Sequence, residues 1–315
     1  MDLQFVTLDV FTSKRLEGNP LAVVSVPPTL KNKLSQATKQ KIAAEFNLSE
    51  TVFLHEPEDP QQDQRHIDIF TIECEIPFAG HPTIGSAVLV KYHLHPHVHT
   101  LVTKAGSIGL APQDNNRIRA KIPHNTHLHA RTLAAAFGDS KDTSPDRLSP
   151  DPAIRAAELQ APVFSVVRGM TFVLVKLPSL ESLARVTSAS RLDFDALPSP
   201  LLDEEWRDSF VCRYYYVDMG TEGDERLVRA RMVELGFEDP ATGSAASALA
   251  SYLTLHEERK GTKFRVTQGV EMGRTSDIRV ETTTREGDGG AVELVDLWLG
   301  GTAVVVMKGT LTVDV

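Results

Sequence analysis

Cysteine is almost missing from this chain of 315 residues, with Cys74 and Cys212 its only two. Two cysteines cannot make a disulfide scaffold, and neither stands in a C-x-x-C pair, so thiol redox and zinc-finger chemistry are excluded. Runs of Lys and Arg are absent too, and the formal net charge is −9. Nucleic acid and anionic membrane surfaces both require a positive face, so neither is an expected partner. No stretch approaches the roughly 18–20 apolar residues of a membrane span. The opening "MDLQFVTLDVF" has no basic n-region and no long apolar core, so it does not read as a secretory leader. A cytoplasmic protein is expected. What is present is ordinary for a globular protein, 41% hydrophobic and 24% charged residues, in a length that suggests about two domains.

The chain nearly repeats itself. "IPFAGHPTIGSAV" at 76–88 is answered by "FEDPATGSAASA" at 237–248. Pro82 matches Pro240, Gly85 matches Gly243, Ser86 matches Ser244 and Ala87 matches Ala245, each pair 158 residues apart. The surroundings follow the same plan. "QFVTLDVFT" and "NPLAVVSV" read as strands, residues 33–46 as an amphipathic helix, and "ETVFLHE" and "RHIDIF" as further strands. "HPTIGSAVLVKYHL" then reads as a buried helix with Pro82 in its first turn. In the second half Gly169 precedes a strand as Gly18 does, "RLVRARMVE" parallels "RHIDIFTIE", and "DPATGSAASALASYLTL" predicts a second buried helix opening with proline. Both helices are apolar or small on every side, which predicts burial. The fold class is therefore α+β, two pseudo-symmetric halves, each a curved, mostly antiparallel sheet wrapped around one central buried helix. The expected boundaries are 1–125 and 126–302, with a C-terminal strand near 303–315 returning to close the first half. The Asp-, Ser- and Pro-rich "GDSKDTSPDRLSPDPAI" reads as a surface connection, and "LPSPLLDEEWRD" at 197–208 as a surface loop.

Two related helix starts suggest a shared cleft if the halves are related by a pseudo-twofold. Helix N-termini present N–H groups without intrahelical partners and favour an anion such as a carboxylate. Gly80, Gly85, Gly243 and Ser244 suit close approach to backbone. His81 and Asp239 stand beside these starts and can transfer protons or orient an anion; the plainer alternative is that Asp239 caps a helix and His81 packs in a loop. Glu50, in "NLSETVF", sits where an amphipathic helix meets an apolar strand. A carboxyl there is either an ordinary strand-end group or a partly desolvated one, raised in pKa and fit to carry a proton.

Five blocks in order, "DVFTSKRLEGNPLAVV", "NLSETVF", "FTIECEIPFAGHPTIGSA", "EDPATGSAASAL" and "TQGVEMGRTSDI", resemble the phenazine-biosynthesis PhzF-like isomerase family over nearly the whole chain. The resemblance implies a diaminopimelate-epimerase-like fold and a homodimer. It implies that Glu50 carries the proton, that His81 and Asp239 flank the substrate, and that Asn19 contacts it. Gly80, Gly243 and Ser244 would supply anion-binding backbone, with Gln268 close by. The implied reaction isomerises a small carboxylate-bearing molecule such as trans-2,3-dihydro-3-hydroxyanthranilate without a cofactor. Proline is replaced in two blocks, at Ile72 and Thr275, outside the implied catalytic set. A two-base epimerase would need a thiol at each helix start, and neither loop has one. Epimerisation or racemisation of amino-acid-like substrates remains the closest enzymatic alternative, and a ligand-binding protein without turnover the alternative from another class.

No metal site is expected. His93, His95, His97 and His99 alternate, but Pro96 interrupts them and no acidic residue stands in the run; His124, His127 and His129 read as a second loose, solvated group. "EGDGG" at 286–290 is a turn, and "GTEGDE" lacks the spacing of a dinucleotide-binding loop, so no nucleotide cofactor is expected.

Overall fold

The computed structural model describes residues 1–30, 33–138, 147–187, 192–234 and 236–314. The chain forms two compact units, Met1–Ile122 with Trp298–Val315, and Pro123–Leu297. The first contains β1 (Asp2–Val10), β2 (Asn19–Val26), α1 (Gln36–Phe46), β3 (Thr51–His55), β4 (Gln64–Phe70), β5 (Glu75–Ile76), α2 (Gly80–Leu89), β6 (Thr100–Thr103), β7 (Gly106–Gln113) and β8 (Arg117–Lys121). The second contains β9 (His127–Leu128), α3 (Leu133–Phe137), α4 (Pro152–Gln160), β10 (Val163–Val167), β11 (Met170–Lys176), α5 (Leu180–Ala184), β12 (Phe210–Glu222), β13 (Glu225–Glu234), β14 (Phe237–Asp239), α6 (Gly243–Leu253), β15 (Lys263–Gln268) and β16 (Ser276–Glu286). β17 (Val292–Gly301) starts in the second unit and ends in the first, where β18 (Ala303–Thr312) follows.

In the first unit the strands run β18-β1-β2-β3-β4-β6-β7-β8, with the end of β17 beside β8. Pairings β2–β3 and β4–β6 are parallel, and the others antiparallel. α2 packs against β18, β1, β2, β3 and β8, strands from both ends of that order. The sheet therefore curves around the helix, and all ten residues of α2 are buried. Small side chains make this close fit: a Cβ on Gly85 would lie 2.5 Å from Leu21 Cδ2 and 2.7 Å from Val10 Cγ2. Gly85 thus serves packing inside the helix, not an anion at its start.

The second unit repeats the pattern. Its strands run β9-β10-β11-β12-β13-β15-β16, with parallel pairs at β11–β12 and β13–β15. α6 packs against β10, β11 and β16, again from both ends. Each central helix ends in one wider turn closed by an i→i+5 bond, His95 N–H to Val90 O at 2.6 Å and Arg259 N–H to Thr254 O at 2.8 Å.

The register of the repeat differs from the one the sequence suggests. The helices start at Gly80 and Gly243, 163 residues apart. Pro82 is the third residue of α2, whereas Pro240 lies in the loop before α6. The four-residue match at the shorter spacing follows small residues common to both segments, and the second helix does not open with proline.

Two segments read as surface are partly core. Leu148 and Ile154 join an apolar core cluster of the second unit, although 139–146 of the same connection lie outside the described residues. Leu201, Leu202 and Trp206 join it from the proline-rich 197–208 stretch. Among the described residues, no helix is long and apolar enough to cross a membrane.

Candidate active site

α1 starts on Ser35, whose hydroxyl accepts the Thr38 N–H, and stops at Asn47, which takes left-handed backbone (φ 51°) and returns its N–H to Ala43 O. The chain turns there and delivers Glu50 to the head of β3. Its carboxylate Oε2 lies 3.5 Å from His81 Nδ1, at the edge of hydrogen-bonding range, and its side chain is only 18% exposed. Desolvation raises the Glu50 pKa from 4.5 to about 7, against a hydrogen bond from the Ser49 side chain that lowers it. The environment is thus the desolvated boundary that the sequence allowed as one of two readings.

His81, the second residue of α2, is buried, and Asn19 at the start of β2 is buried beside it. Asn19 Nδ2 and His81 Nδ1 are 3.4 Å apart. With the amide donating, Nδ1 carries the lone pair and Nε2 the hydrogen. Ala79, which precedes α2, has no side-chain oxygen to cap the helix, and Gly80 opens it. Glu50, His81, Asn19 and Gly80 therefore lie together in the first unit.

Asp239, Gly243, Ser244 and Gln268 lie together in the second. Asp239 ends β14, paired with Met232. Its Oδ2 accepts the Thr242 hydroxyl at 2.6 Å, and helix α6 begins one residue later. Asp239 is thus not the N-cap; Thr242 holds that place, and its side chain makes no cap bond. Gln268 ends β15 wholly buried. Its amide bonds only protein groups: Asp239 O at 2.8 Å, Thr242 Oγ1 at 2.9 Å, Tyr214 OH at 2.9 Å and Thr242 N at 3.2 Å. Sequence reading missed Thr242 and Tyr214. A threonine just before a small-residue helix is a recognisable start signal, but nothing in "CRYYYV" singles out the first of three adjacent aromatic hydroxyls.

Neither cysteine stands at a helix start. Cys74 is exposed and Cys212 is buried on β12, while Ala79 and Thr242 occupy the positions before α2 and α6.

The alternating histidines do not converge. His95 Nε2 bonds Glu56 at 3.1 Å, His97 Nε2 lies 3.1 Å from Gln62 O, and His99 Nδ1 lies 3.5 Å from Lys91 Nζ. The second histidine group is not the loose, solvated one that its sequence suggests. His127 stacks on Trp206 with ring centroids 4.9 Å apart and bonds Asp203 Oδ2 at 2.7 Å. His129 is buried, its Nδ1 accepting the Asp203 N–H at 3.2 Å and its Nε2 lying 2.9 Å from Ser165 Oγ. Burial, then the neighbouring His127, lowers the His129 pKa to about 4, so its ring is neutral. Among the described residues, His127, His129 and Asp203 are the one group whose ligand-type atoms all lie within 4.8 Å. Each nitrogen of His129 already has a protein partner, and the cluster is accounted for by its own hydrogen bonds.

The family described as phenazine biosynthesis-like protein, PhzC-PhzF, matches residues 8–309. An uncharacterized isomerase of Mesorhizobium japonicum is 36% identical over 98% of each chain. Trans-2,3-dihydro-3-hydroxyanthranilate isomerase of Pseudomonas fluorescens is 32% identical, again over 98% of each. Among solved structures, the PhzF-family phenazine biosynthesis protein of Bacillus anthracis superposes with a TM-score of 0.71 at 19% identity, covering 99% of this chain and 100% of that one. That likeness concerns the fold alone. Matched end to end in sequence and in the strand-wrapped helix of each unit, the chain belongs to the phenazine biosynthesis-like PhzC-PhzF family, an enzyme family of the isomerase class.

Proposed function

We propose that this protein is a cofactor-independent isomerase that moves a proton between carbons of a small carboxylate-bearing substrate similar to trans-2,3-dihydro-3-hydroxyanthranilate. The observation that carries this reading is Glu50: a carboxyl desolvated beside His81, with a pKa of about 7. A group poised near the working pH is efficient both as base and as conjugate acid. Ionised Glu50 removes a proton from an activated C–H bond; the electron pair moves into the adjoining unsaturated system; protonated Glu50 returns the proton to a different carbon. An enol left by that step becomes a ketone by a further proton shift. No net proton or electron is gained, so one carboxyl suffices.

His81, held by Asn19, and Asp239, held by Thr242, are assigned to orienting the substrate and stabilising charge as it develops. The helix starts at Gly80, Gly243 and Ser244 would give backbone N–H groups to its carboxylate. The relative that acts on the dihydroanthranilate supports the substrate class.

The test is incubation in D2O with the dihydroanthranilate and a panel of unsaturated cyclic amino and hydroxy acids, read by mass spectrometry. Carbon-bound deuterium is expected with the wild type and at least a hundredfold less with Glu50→Gln. Equal labelling by both proteins would remove Glu50 from the role and make Asp239 the next base to examine. Binding without labelling would favour a ligand-binding protein instead.

A further inference from the structure

The hydrogen bonds of Gln268 admit one assignment. A backbone N–H only donates, so the atom 3.2 Å from Thr242 N is the amide oxygen Oε1. A backbone carbonyl only accepts, so the atom 2.8 Å from Asp239 O is Nε2. Oε1 also accepts the Tyr214 hydroxyl at 2.9 Å. Burial, then the charge of Asp239, raises the Tyr214 pKa well above its ordinary value, so that phenol keeps its proton. The second hydrogen on Nε2 goes to Thr242 Oγ1 at 2.9 Å. Having accepted there, the Thr242 hydroxyl has its own hydrogen for Asp239 Oδ2 at 2.6 Å. Donors and acceptors therefore run in one direction, Tyr214 to Gln268 to Thr242 to Asp239.

Gly269 fixes the geometry from beneath. Its φ is +74°, and a Cβ there would meet Arg274 O at 2.4 Å and Pro240 O at 2.7 Å. The end of β15 thus lies directly against the backbone of the 239–242 loop, with no space for a side chain. Tyr214 and Gln268 are both wholly buried, so neither reaches a substrate.

We propose that Gln268 and Tyr214 are positioning residues that act through Thr242 to hold the Asp239 carboxylate, as a hydrogen-bond acceptor, in one orientation toward the substrate. This rests on the reading of Asp239 as a substrate-orienting group. Gln268→Glu keeps the shape but cannot supply two hydrogens, and it frees the Thr242 hydroxyl to turn away. Thr242→Val keeps the shape and removes the hydroxyl; Thr242→Ser retains it.

The experiment uses the deuterium assay on trans-2,3-dihydro-3-hydroxyanthranilate with these variants and Asp239→Asn. Gln268→Glu and Thr242→Val are expected to lower kcat/KM by about ten- to a hundredfold, and Thr242→Ser to stay within about threefold of wild type. Thr242→Val added to Asp239→Asn is expected to cost no more than about twofold further, because the hydroxyl acts through the carboxylate. Multiplying losses in the double variant would mark a merely structural role and overturn the proposal. So would full activity of Thr242→Val beside an impaired Asp239→Asn. Full activity of Asp239→Asn would instead overturn the reading of Asp239 itself. If the wild type does not label this probe, amide hydrogen exchange at Thr242 decides without turnover. About tenfold faster exchange is expected in Gln268→Leu, which removes the oxygen that accepts this N–H, and unchanged exchange overturns the clamp.

Discussion

Glu50 couples chemistry to stability. Its folded-state pKa of about 7 lies above the ordinary 4.5, so between those values the native chain holds a proton that the unfolded chain has released. Stability from this group therefore falls as pH rises through the window and levels off above about 7. Glu50→Gln removes the titration. The variant is expected to gain up to about 3 kcal/mol over wild type at pH 8 and almost nothing at pH 4. Urea denaturation at the two pH values checks this; an equal difference at both would mean the carboxyl is not desolvated. At this scale the sequence was informative about the first group of residues. Glu50, His81 and Asn19 stand in distinctive short blocks, and the fold brings His81 within 3.5 Å of each of the other two. Tyr214 was not legible and Thr242 only as a helix start, because their role is to bond Gln268, and that meeting is made by two separate strands and a loop.

Among the elements, the helix starts show how a repeat can be seen and still be misregistered. Composition identified both buried helices, since a segment of Ala, Ser, Gly and Leu has no face suited to water. The spacing was set by Pro, Gly, Ser and Ala matches, and those residues recur without marking equivalent positions. Backbone pairing gives a firmer equivalence: Arg65 on β4 pairs with Leu101, and Arg226 on β13 with Phe264. α4 was hidden for another reason. Its charged and small residues look external, yet Glu158 is wholly buried. It accepts Arg213 at 3.0 Å, Tyr215 at 2.6 Å and the Ser149 N–H at 2.8 Å, fastening α4 to β12. Glu158→Ala takes the carboxylate from a buried guanidinium, so a loss of about 3–5 kcal/mol is expected in chemical denaturation. A loss under about 1 kcal/mol would show that water can reach Arg213.

For the whole molecule, the chain's only two tryptophans divide between the units, Trp206 in the second and Trp298 in the first. Each reports its own surroundings: Trp206 is stacked on His127, and Trp298 lies under the Arg119 guanidinium, 4.6 Å from the ring centroid. Deleting 303–315 takes from β1 its partner along the whole length of β18. In variants with one tryptophan replaced by Phe, the deletion is expected to lower the unfolding midpoint seen by Trp298 more than that seen by Trp206. Equal shifts would mean that the molecule unfolds as a single cooperative block.

That returning strand also bears on how the protein is made. Of the strands described, β1 leaves the ribosome before the others and β18, which pairs with it, after them. Between them the entire second unit, Pro123–Leu297, is synthesised. At roughly 5–20 residues per second, the outer edge of β1 waits on the order of 15–60 s for its mate. An unpaired edge is open to mispairing with other chains throughout that interval. The half begun first is finished last, and nascent-chain aggregation should track the translation rate of the second half more than that of the first.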